Sequence, residues 1–165
     1  MNRPQGTIEY HNEGRSVLVS GGANGIGRSI CEHFHASGAS VYCMDVDQQA
    51  ANELPDGIVF LKGDTSREAD CEAAVLQAFE DSGGLDVLVN NAAIQPPESY
   101  VPLDELSEET WNKILGVNFS GYTFLAKHAV RVMKRQQSGV IVNIASGQAH
   151  RTARQVACYG PIKAG

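Results

Sequence analysis

Three side chains near the carboxyl end of the sequence, Ser146, Tyr159 and Lys163, are of types that donate, accept or stabilise a proton in enzymes. Tyr159 and Lys163 are four residues apart, so a helix would present the phenol and the ammonium on one face. A free phenol ionises only near about pH 10, and a neighbouring ammonium favours its phenolate form. The spacing therefore predicts an acid/base pair, although the same spacing, taken alone, is more often an ordinary helix face.

A fourth polar residue, Asn118, falls on the apolar face of a long predicted helix. The other members of that face recur at spacings of three and four residues and are Trp111, Ile114, Leu115, Tyr122, Leu125, Ala126, Ala129 and Met133. A buried amide without hydrogen-bond partners costs on the order of 1 to 3 kcal/mol. We therefore expect Asn118 either to bond to backbone or to face a solvated active site.

Glycines are concentrated in one turn near the amino terminus, where residues 20–27 read S-G-G-A-N-G-I-G between an apolar run and a helical stretch. Such a turn can present backbone N–H groups and the positive end of a helix dipole to a pyrophosphate. We predict that Gly21, Gly25 and Gly27 bind phosphate and that Asn24 and Ile26 also contact a cofactor. A flexible loop is the alternative, but the strand before the turn and the helix after it favour phosphate binding.

Asp45 ends the next apolar run, 20 residues beyond Gly25. An acid at this distance accepts hydrogen bonds from the adenosine ribose hydroxyls of a dinucleotide and repels a 2′-phosphate. Neither Asn24 nor Val46 is basic, so neither position offers a positive charge to a 2′-phosphate. These residues predict NAD (NADH) as the cofactor, with NADP less favoured. A solvated aspartate at a strand end is the alternative.

Polar residues also follow the third and fourth predicted strands. Asp64 and Thr65 follow the third, where Asp64 could contact an adenine ring or cap the following helix. Asn91 and Ala92 follow the fourth, where an asparagine can bridge the backbone of neighbouring strand ends. We predict all four as cofactor contacts, with a structural role for Asn91 at least as favoured.

These candidates follow the strands of an alternating pattern, as ligand-binding residues do in parallel sheets. Strands are predicted over Ser16–Ser20, Ser40–Asp45, Ile58–Lys62, Leu85–Val89 and Gly139–Ile144. Helices are predicted over Gly25–Ala36, Gln48–Leu54, Arg67–Ser82 and Ser107–Gln136, with a last helix beginning near Tyr159. The alternation predicts an α/β fold with a doubly wound parallel sheet. In the Rossmann-type dinucleotide-binding form of this fold, the five strands present follow the order 3-2-1-4-5.

The composition is that of one globular domain. The 165 residues, 42% of them hydrophobic, predict a single domain over 1–165 with a polar segment at 1–14. A net charge of −6 argues against nucleic acid as a partner. No apolar run could span a membrane and no signal peptide is visible, which predicts a cytoplasmic protein without membrane contact. The four cysteines and five histidines are scattered, so neither a metal site nor a disulfide framework is predicted.

The motifs taken together resemble those of the short-chain dehydrogenase/reductase family. S-G-G-A-N-G-I-G resembles the family's T-G-x-x-x-G-x-G turn, N-N-A-A at 90–93 its N-N-A-G, and Y-G-P-I-K at 159–163 its Y-x-x-x-K. The resemblance covers residues 15–165, and Asn118 and Ser146 also match the family's pattern. It implies an NAD(H)-dependent oxidoreductase that interconverts a secondary alcohol and a ketone or aldehyde.

The resemblance also implies a role for each matching residue. Tyr159 would exchange a proton with the substrate oxygen, and Ser146 would hydrogen-bond that oxygen. Lys163 would hold the nicotinamide ribose and tune Tyr159, so both count as cofactor contacts, and Asn118 would anchor a proton-relay water. Related enzymes pair through the helices that bear Asn118 and Tyr159, so a homo-oligomer could form through them.

The sequence departs from the family's pattern at several positions. Ser20 and Ala93 replace a threonine and a glycine, which should leave cofactor binding intact. Pro161 is tolerated only in the first turn of a helix, so the acid/base pair keeps its geometry if the helix begins near Tyr159. The sequence also stops after the fifth strand of a six-stranded fold, which predicts part of a longer enzyme. The alternative to an enzyme is a truncated, non-catalytic NAD-binding or interaction protein.

Overall fold

The computed structural model describes residues 9–151 and 153–164, which fold around a parallel sheet. The strands are β1 Ser16–Ser20, β2 Ser40–Asp45, β3 Val59–Lys62, β4 Val87–Asn90 and β5 Val140–Asn143. They lie in the order β3-β2-β1-β4-β5, and every neighbouring pair is parallel. The predicted fold class and strand order are therefore confirmed.

Helices cover both faces of this sheet. They are α1 Gly25–Ala36, α2 Gln48–Ala51, α3 Glu68–Ser82, α4 Glu108–Leu115, α5 Gly121–Gln136 and α6 Tyr159–Ala164, with 3-10 turns at Pro97–Ser99, Leu103–Glu105 and Gly147–Ala149. Successive side chains of a strand point to opposite faces, so β1 buries Leu18 against α3 and α5, and Val17 and Val19 against α1. Burial on both faces explains why β1 and β4 have uninterrupted apolar runs.

The long helix predicted over Ser107–Gln136 is divided in the structure, so that prediction is wrong in its middle. A π-helical segment, Gly116–Ser120, separates α4 from α5. Directly after it, Gly121 packs so closely on the loop before α3 that a Cβ would lie 2.8 Å from Thr65 Cβ. Hydrophobic spacing does not reveal one wide turn in a helix, which is why the sequence predicted a continuous one.

Other predicted boundaries shift by smaller amounts. β4 begins at Val87 instead of Leu85, because the backbone N–H and carbonyl of Leu85 bond to the Gln136 side chain at 3.2 and 2.7 Å. α2 ends at Ala51, earlier than predicted, because the N–H groups of Asn52, Glu53 and Leu54 bond to carbonyls three residues back instead of four. The remaining differences amount to one residue at an element's end.

Candidate active site

The glycine turn lies at the carboxyl end of β1 and closes tightly onto the segment after β4. A Cβ on Gly27 would lie 2.0 Å from the Gly21 carbonyl oxygen and 2.5 Å from Asn91 Nδ2, so no side chain fits there. Gly21 has a φ of +64°, and its Cβ would meet Ala92 Cα at 2.8 Å. The turn is therefore a cradle made of backbone, and two of its glycines cannot be replaced without displacing it.

The amino terminus of α1 opens at the same turn. Asn24 precedes the helix, but its side chain donates to Asp47 Oδ2 at 3.2 Å and does not cap the helix. The first N–H groups of a helix have no partner within it, and in the described chain no side chain caps those of α1. This helix end therefore suits an anion such as a phosphate.

Asp45 ends β2 beside the turn, and both of its carboxylate oxygens accept backbone hydrogen bonds. Ala23 N donates to Oδ2 and Asp47 N donates to Oδ1, each at 3.0 Å. The carboxylate thus fixes the position of the glycine turn against β2. Each oxygen keeps a further lone pair, so Asp45 can still accept a bond from a ligand.

Ser20 and Asn91 join the ends of β1 and β4. Ser20 Oγ accepts from the backbone N–H groups of Asn91 and Ala92 at 3.0 and 3.2 Å. Asn91 Nδ2 donates to the carbonyl oxygens of Ser20 and Gly21, both at 3.1 Å. Asn91 therefore bridges the backbone of neighbouring strand ends, as its structural alternative predicted. The Ser20 hydroxyl joins the same two strand ends by accepting from the segment after β4.

Asp64 and Thr65 follow β3 and are held by local contacts. Asp64 Oδ1 accepts from the N–H and hydroxyl of Ser66 at 2.9 and 2.8 Å. The N-cap of α3 is Arg67, so the prediction that Asp64 might cap this helix is wrong: its carboxylate closes the preceding turn instead. Thr65 is buried against Gly121.

A cleft of about 760 Å³ runs along the carboxyl edge of the sheet. The predicted cofactor contacts that line it are Gly21, Asn24, Gly25, Ile26, Gly27, Asp45, Asp64, Thr65, Asn91 and Ala92. Tyr159 and Lys163, which were also predicted as cofactor contacts, do not line it. Lys113 of α4 and Gly116 of the π segment also line the cleft, although no sequence motif points to them.

Asn118 is buried in the π segment and bonds to backbone. Its Oδ1 accepts from Ile94 N at 2.8 Å, and its Nδ2 donates to the Ile94 carbonyl at 2.9 Å. Of the two environments expected from the sequence, bonding to backbone is therefore observed. The pair of bonds fixes the segment after β4 against the helix.

α6 begins at Tyr159, which puts Pro161 in the first turn, where its missing N–H breaks no helical bond. Ile162 N donates to the Cys158 carbonyl at 3.2 Å, and both residues pack with Ile114 of α4. The proline is therefore compatible with the helical spacing of the acid/base pair.

Lys163 is buried, and its ammonium bonds to Tyr122 instead of Tyr159. Nζ donates to Tyr122 Oη at 2.8 Å and to the Ile144 carbonyl, and it lies 4.5 Å from the Tyr122 ring centroid. Burial lowers the pKa of Lys163 and raises the pKa of Tyr122, so the Tyr122 phenol stays protonated at neutral pH. The expected contact with Tyr159 is not made, because the ammonium is turned toward α5. The sequence pattern places Tyr122 only on the apolar face of the helix. Its position one helical turn beyond Asn118 is the feature that could have identified it as a residue of the candidate site.

Ser146 and Tyr159 lie on neighbouring segments. Ser146 Oγ accepts from Gln148 N at 3.2 Å and so caps the turn Gly147–Ala149, which packs against α6. Asn118 and Lys163 line a second cavity, of about 770 Å³, bounded by α5 and the end of β5, whereas Ser146 and Tyr159 do not. The four candidates thus reach the carboxyl end of the sheet without sharing one cavity.

Neither a metal-ligand cluster nor a membrane-spanning helix is found in the part of the chain that the structure describes. Within residues 9–151 and 153–164, no three His, Cys, Asp or Glu side chains are grouped so that they could hold a metal ion. No helix in these ranges is both long and apolar enough to cross a membrane. All four cysteines are buried and free.

Known proteins resemble this chain in sequence and in fold. A family model described as short chain dehydrogenase matches residues 15–165. An uncharacterized oxidoreductase of Thermotoga maritima is 38% identical over 141 residues, and 3beta-hydroxysteroid dehydrogenase 2 of Eggerthella lenta is 33% identical over 141 residues; each match covers 81% of this chain and 54% of the relative. A crystal structure of a short-chain dehydrogenase/reductase from Brucella melitensis, described as glucose/ribitol dehydrogenase, has a TM-score of 0.85 and 33% identity, covering 95% of this chain and 67% of that one. The chain spans about half the length of the curated relatives it matches.

Proposed function

Because this chain belongs to the short-chain dehydrogenase family, we propose that it forms the nucleotide-binding and proton-exchanging part of an NAD(H)-dependent oxidoreductase. The proposed reaction interconverts a secondary alcohol and a ketone or aldehyde. The observation that carries the proposal is the backbone cradle at the end of β1, where Gly27 and Gly21 leave no room for a side chain.

The cradle fits a dinucleotide. A pyrophosphate can approach the backbone closely beside Gly27, and the uncapped start of α1 adds N–H donors and the positive end of the helix dipole. A bound nicotinamide would supply the hydride acceptor or donor of the reaction. The chain itself binds and orients the dinucleotide and moves the proton.

Asp45 supports NAD(H) over NADP(H). Its carboxylate lines the cleft at the end of β2, where it can accept bonds from ribose hydroxyls and would repel a 2′-phosphate. Arg28, the cation that follows the glycine turn, is paired with Glu32 at 2.9 Å and Glu53 at 3.1 Å. Its guanidinium is therefore occupied by two carboxylates and is not free to bind the 2′-phosphate of NADP(H).

Tyr159 is proposed to exchange a proton with the substrate oxygen, and Ser146 to hydrogen-bond that oxygen. Ser146 Oγ accepts one bond from backbone and keeps its own proton to donate. Lys163 is proposed to bind the cofactor's ribose through its remaining N–H donor. Asn118 is proposed to position the segment after β4 and to hold a relay water on the second lone pair of Oδ1.

A hydroxyl-bearing substrate agrees with the names of two relatives. One is named for a hydroxysteroid and the other for glucose and ribitol. We extend to this chain only what those compounds share, which is an alcohol group.

The second candidate function is NAD binding without turnover. Two observations favour it: the Lys163 ammonium bonds to Tyr122, and the four proton-exchanging candidates do not line one cavity. In that case the chain would bind the dinucleotide as part of an assembly.

Tyr159→Phe separates the two functions. An enzyme should lose turnover of a panel of secondary alcohols by about 10²- to 10⁴-fold while keeping its affinity for NADH. Tyr100→Phe, at an exposed tyrosine of the loop after β4, is the matched control and should leave turnover unchanged. Equal turnover in Tyr159→Phe and the wild type would refute the assigned role. Calorimetric titration of the folded chain with NADH and NADPH tests the cofactor site, and binding of neither would refute it.

Partners and location are proposed on the family resemblance and the composition. We propose self-association through the helices that bear Asn118 and Tyr159, which sedimentation of the purified protein would test. A cytoplasmic location and the lack of a nucleic-acid partner stay predictions.

A further inference from the structure

Tyr122 has no role in the motifs or in the proposed reaction, yet it is the side chain that contacts the Lys163 ammonium. It lies on α5, four residues beyond Asn118, and is partly buried. Its Oη accepts from Lys163 Nζ at 2.8 Å and donates to the Ile144 carbonyl at 3.3 Å, and its ring centroid is 4.5 Å from Nζ. Because Lys163 also donates to the Ile144 carbonyl, the three groups form a closed triangle at the end of β5.

We propose that Tyr122 is the positioning residue of Lys163, holding the ammonium at the end of β5 through both its hydroxyl and its ring. This inference rests on the proposed function, since Tyr122 acts on the reaction only through Lys163.

The count of donors and acceptors supports this role. An ammonium has three N–H donors, of which Lys163 uses one on Tyr122 and one on the Ile144 carbonyl. One donor therefore remains for a ligand. The Tyr122 hydroxyl accepts from one partner and donates to the other, so its orientation is fixed on both sides. A lysine has a flexible stem, and holding its tip at two points removes that freedom before a ligand binds.

The charges around Lys163 make these neutral partners necessary. Lys163 is 8% exposed, and its described contacts include no carboxylate. The other charged groups lining the same cavity are Lys127, Arg131 and Lys134 of α5, and the titratable neighbour on α6 is Tyr159. Lys127 and Arg131 are half-exposed and paired with Glu68 and Glu72, so burial is the main cost to the Lys163 charge. A buried cation without a carboxylate partner keeps its charge only if nearby acceptors and π-electrons stabilise it. Removing the Tyr122 hydroxyl should therefore make the charged form of Lys163 less favourable.

The test is an NMR titration of the lysine 13Cε resonances, with Lys163 assigned by the signal lost in Lys163→Arg. Tyr122→Phe keeps the ring and removes the acceptor. The free energy of a hydrogen bond to a charged group corresponds to a pKa change of about 1 to 2. The pKa of Lys163 should therefore fall by about that amount in Tyr122→Phe. Tyr42→Phe is the matched control, because Tyr42 is a buried tyrosine whose Oη likewise bonds to a polar side chain, Ser82 Oγ at 2.7 Å. It should leave the pKa of Lys163 unchanged.

An unchanged pKa of Lys163 in a folded Tyr122→Phe would overturn the proposal. If that variant does not fold, Tyr122→Gln and Tyr122→Leu give the same comparison, since the side chains are of similar size and only glutamine offers an acceptor. The pKa of Lys163 should be higher in Tyr122→Gln, and equal values would overturn the proposal.

The titration requires neither cofactor nor turnover, so a chain without oxidoreductase activity would count against the proposed function alone. Where turnover is measured, the loss of kcat/KM at alkaline pH should begin at lower pH in Tyr122→Phe, because Lys163 loses its proton earlier. Tyr42→Phe should change stability only. A Tyr122→Phe profile identical to that of the wild type would overturn the role in the reaction.

Discussion

Replacing Gly27 with alanine would place a methyl group in the narrowest part of the glycine turn. The new Cβ would lie 2.0 Å from the Gly21 carbonyl oxygen, so the backbone must separate by about 1 Å to reach the shortest distance that real Cβ atoms show. Overpacking of this kind costs about 1 to 3 kcal/mol, and the better helix propensity of alanine offsets about 1 kcal/mol. The net loss of up to about 2 kcal/mol corresponds to a fall in melting temperature of up to roughly 8 °C for a chain of this size.

The same displacement should weaken NADH binding more than it weakens the fold. Loss of one hydrogen bond between the turn and a phosphate would reduce the affinity by roughly 10- to 100-fold, which calorimetric titration of folded Gly27→Ala would measure. Gly84→Ala is the control, because a Cβ there meets only Gln136 Oε1, at the ordinary contact distance of 3.4 Å. If Gly27→Ala melted and bound NADH like the wild type, the turn would not be the tight cradle described above, and the cofactor site would have to lie elsewhere.

Three further changes test separate parts of the site and fold. Asp45→Asn should reduce the preference for NADH over NADPH in calorimetric titrations, because the charge that repels a 2′-phosphate is removed, and an unchanged preference would contradict its role. Ser20→Ala should lower the free energy of unfolding by about 1 to 3 kcal/mol in urea, since two partly buried backbone N–H groups lose their acceptor, whereas Ser20→Thr should not. The Lys127 ammonium, 2.6 Å away, holds the pKa of Glu68 below its ordinary value of 4.5. Glu68 therefore stabilises the fold above about pH 4.5 and less as the pH falls, so melting temperatures of the wild type and Glu68→Gln should differ most near neutral pH and converge in acid. Glu80→Gln, on the same helix, is the control: the difference between its melting temperature and that of the wild type should not shrink as the pH falls.

The sheet and most of the cleft could be predicted because their signals are local. Gly21 and Gly27 stand in a turn directly between a strand and a helix, and Asp45 ends the next strand. Parallel strands bring their carboxyl ends to one edge, so residues that follow different strands must line the same cleft. The strand order then follows from the dinucleotide-binding form of the doubly wound fold, which the glycine turn and Asp45 indicate, without knowledge of any single contact.

The environment of Lys163 could not be predicted in the same way. Its partner Tyr122 is 41 residues away in sequence, and the contact depends on how α5 and α6 pack. The four-residue spacing of Tyr159 and Lys163 places their Cα atoms on one face but does not fix the direction of a long, flexible lysine side chain. The π segment was missed for a related reason, since one additional residue in a turn leaves the apolar pattern on both sides intact.

That π segment also makes deletions and insertions unequal in their effect on the helix. A π turn holds one residue more than an α turn, so after deletion of one residue from Gly116–Ser120 the chain could continue as an α-helix with α5 in nearly the same orientation. Leu125, Ala129 and Met133 would keep their places against the sheet. An insertion has no such outlet, because each added residue of an α-helix turns the chain by about 100° and would rotate these side chains away from the sheet. Insertions in these five positions should therefore be far more damaging than deletions.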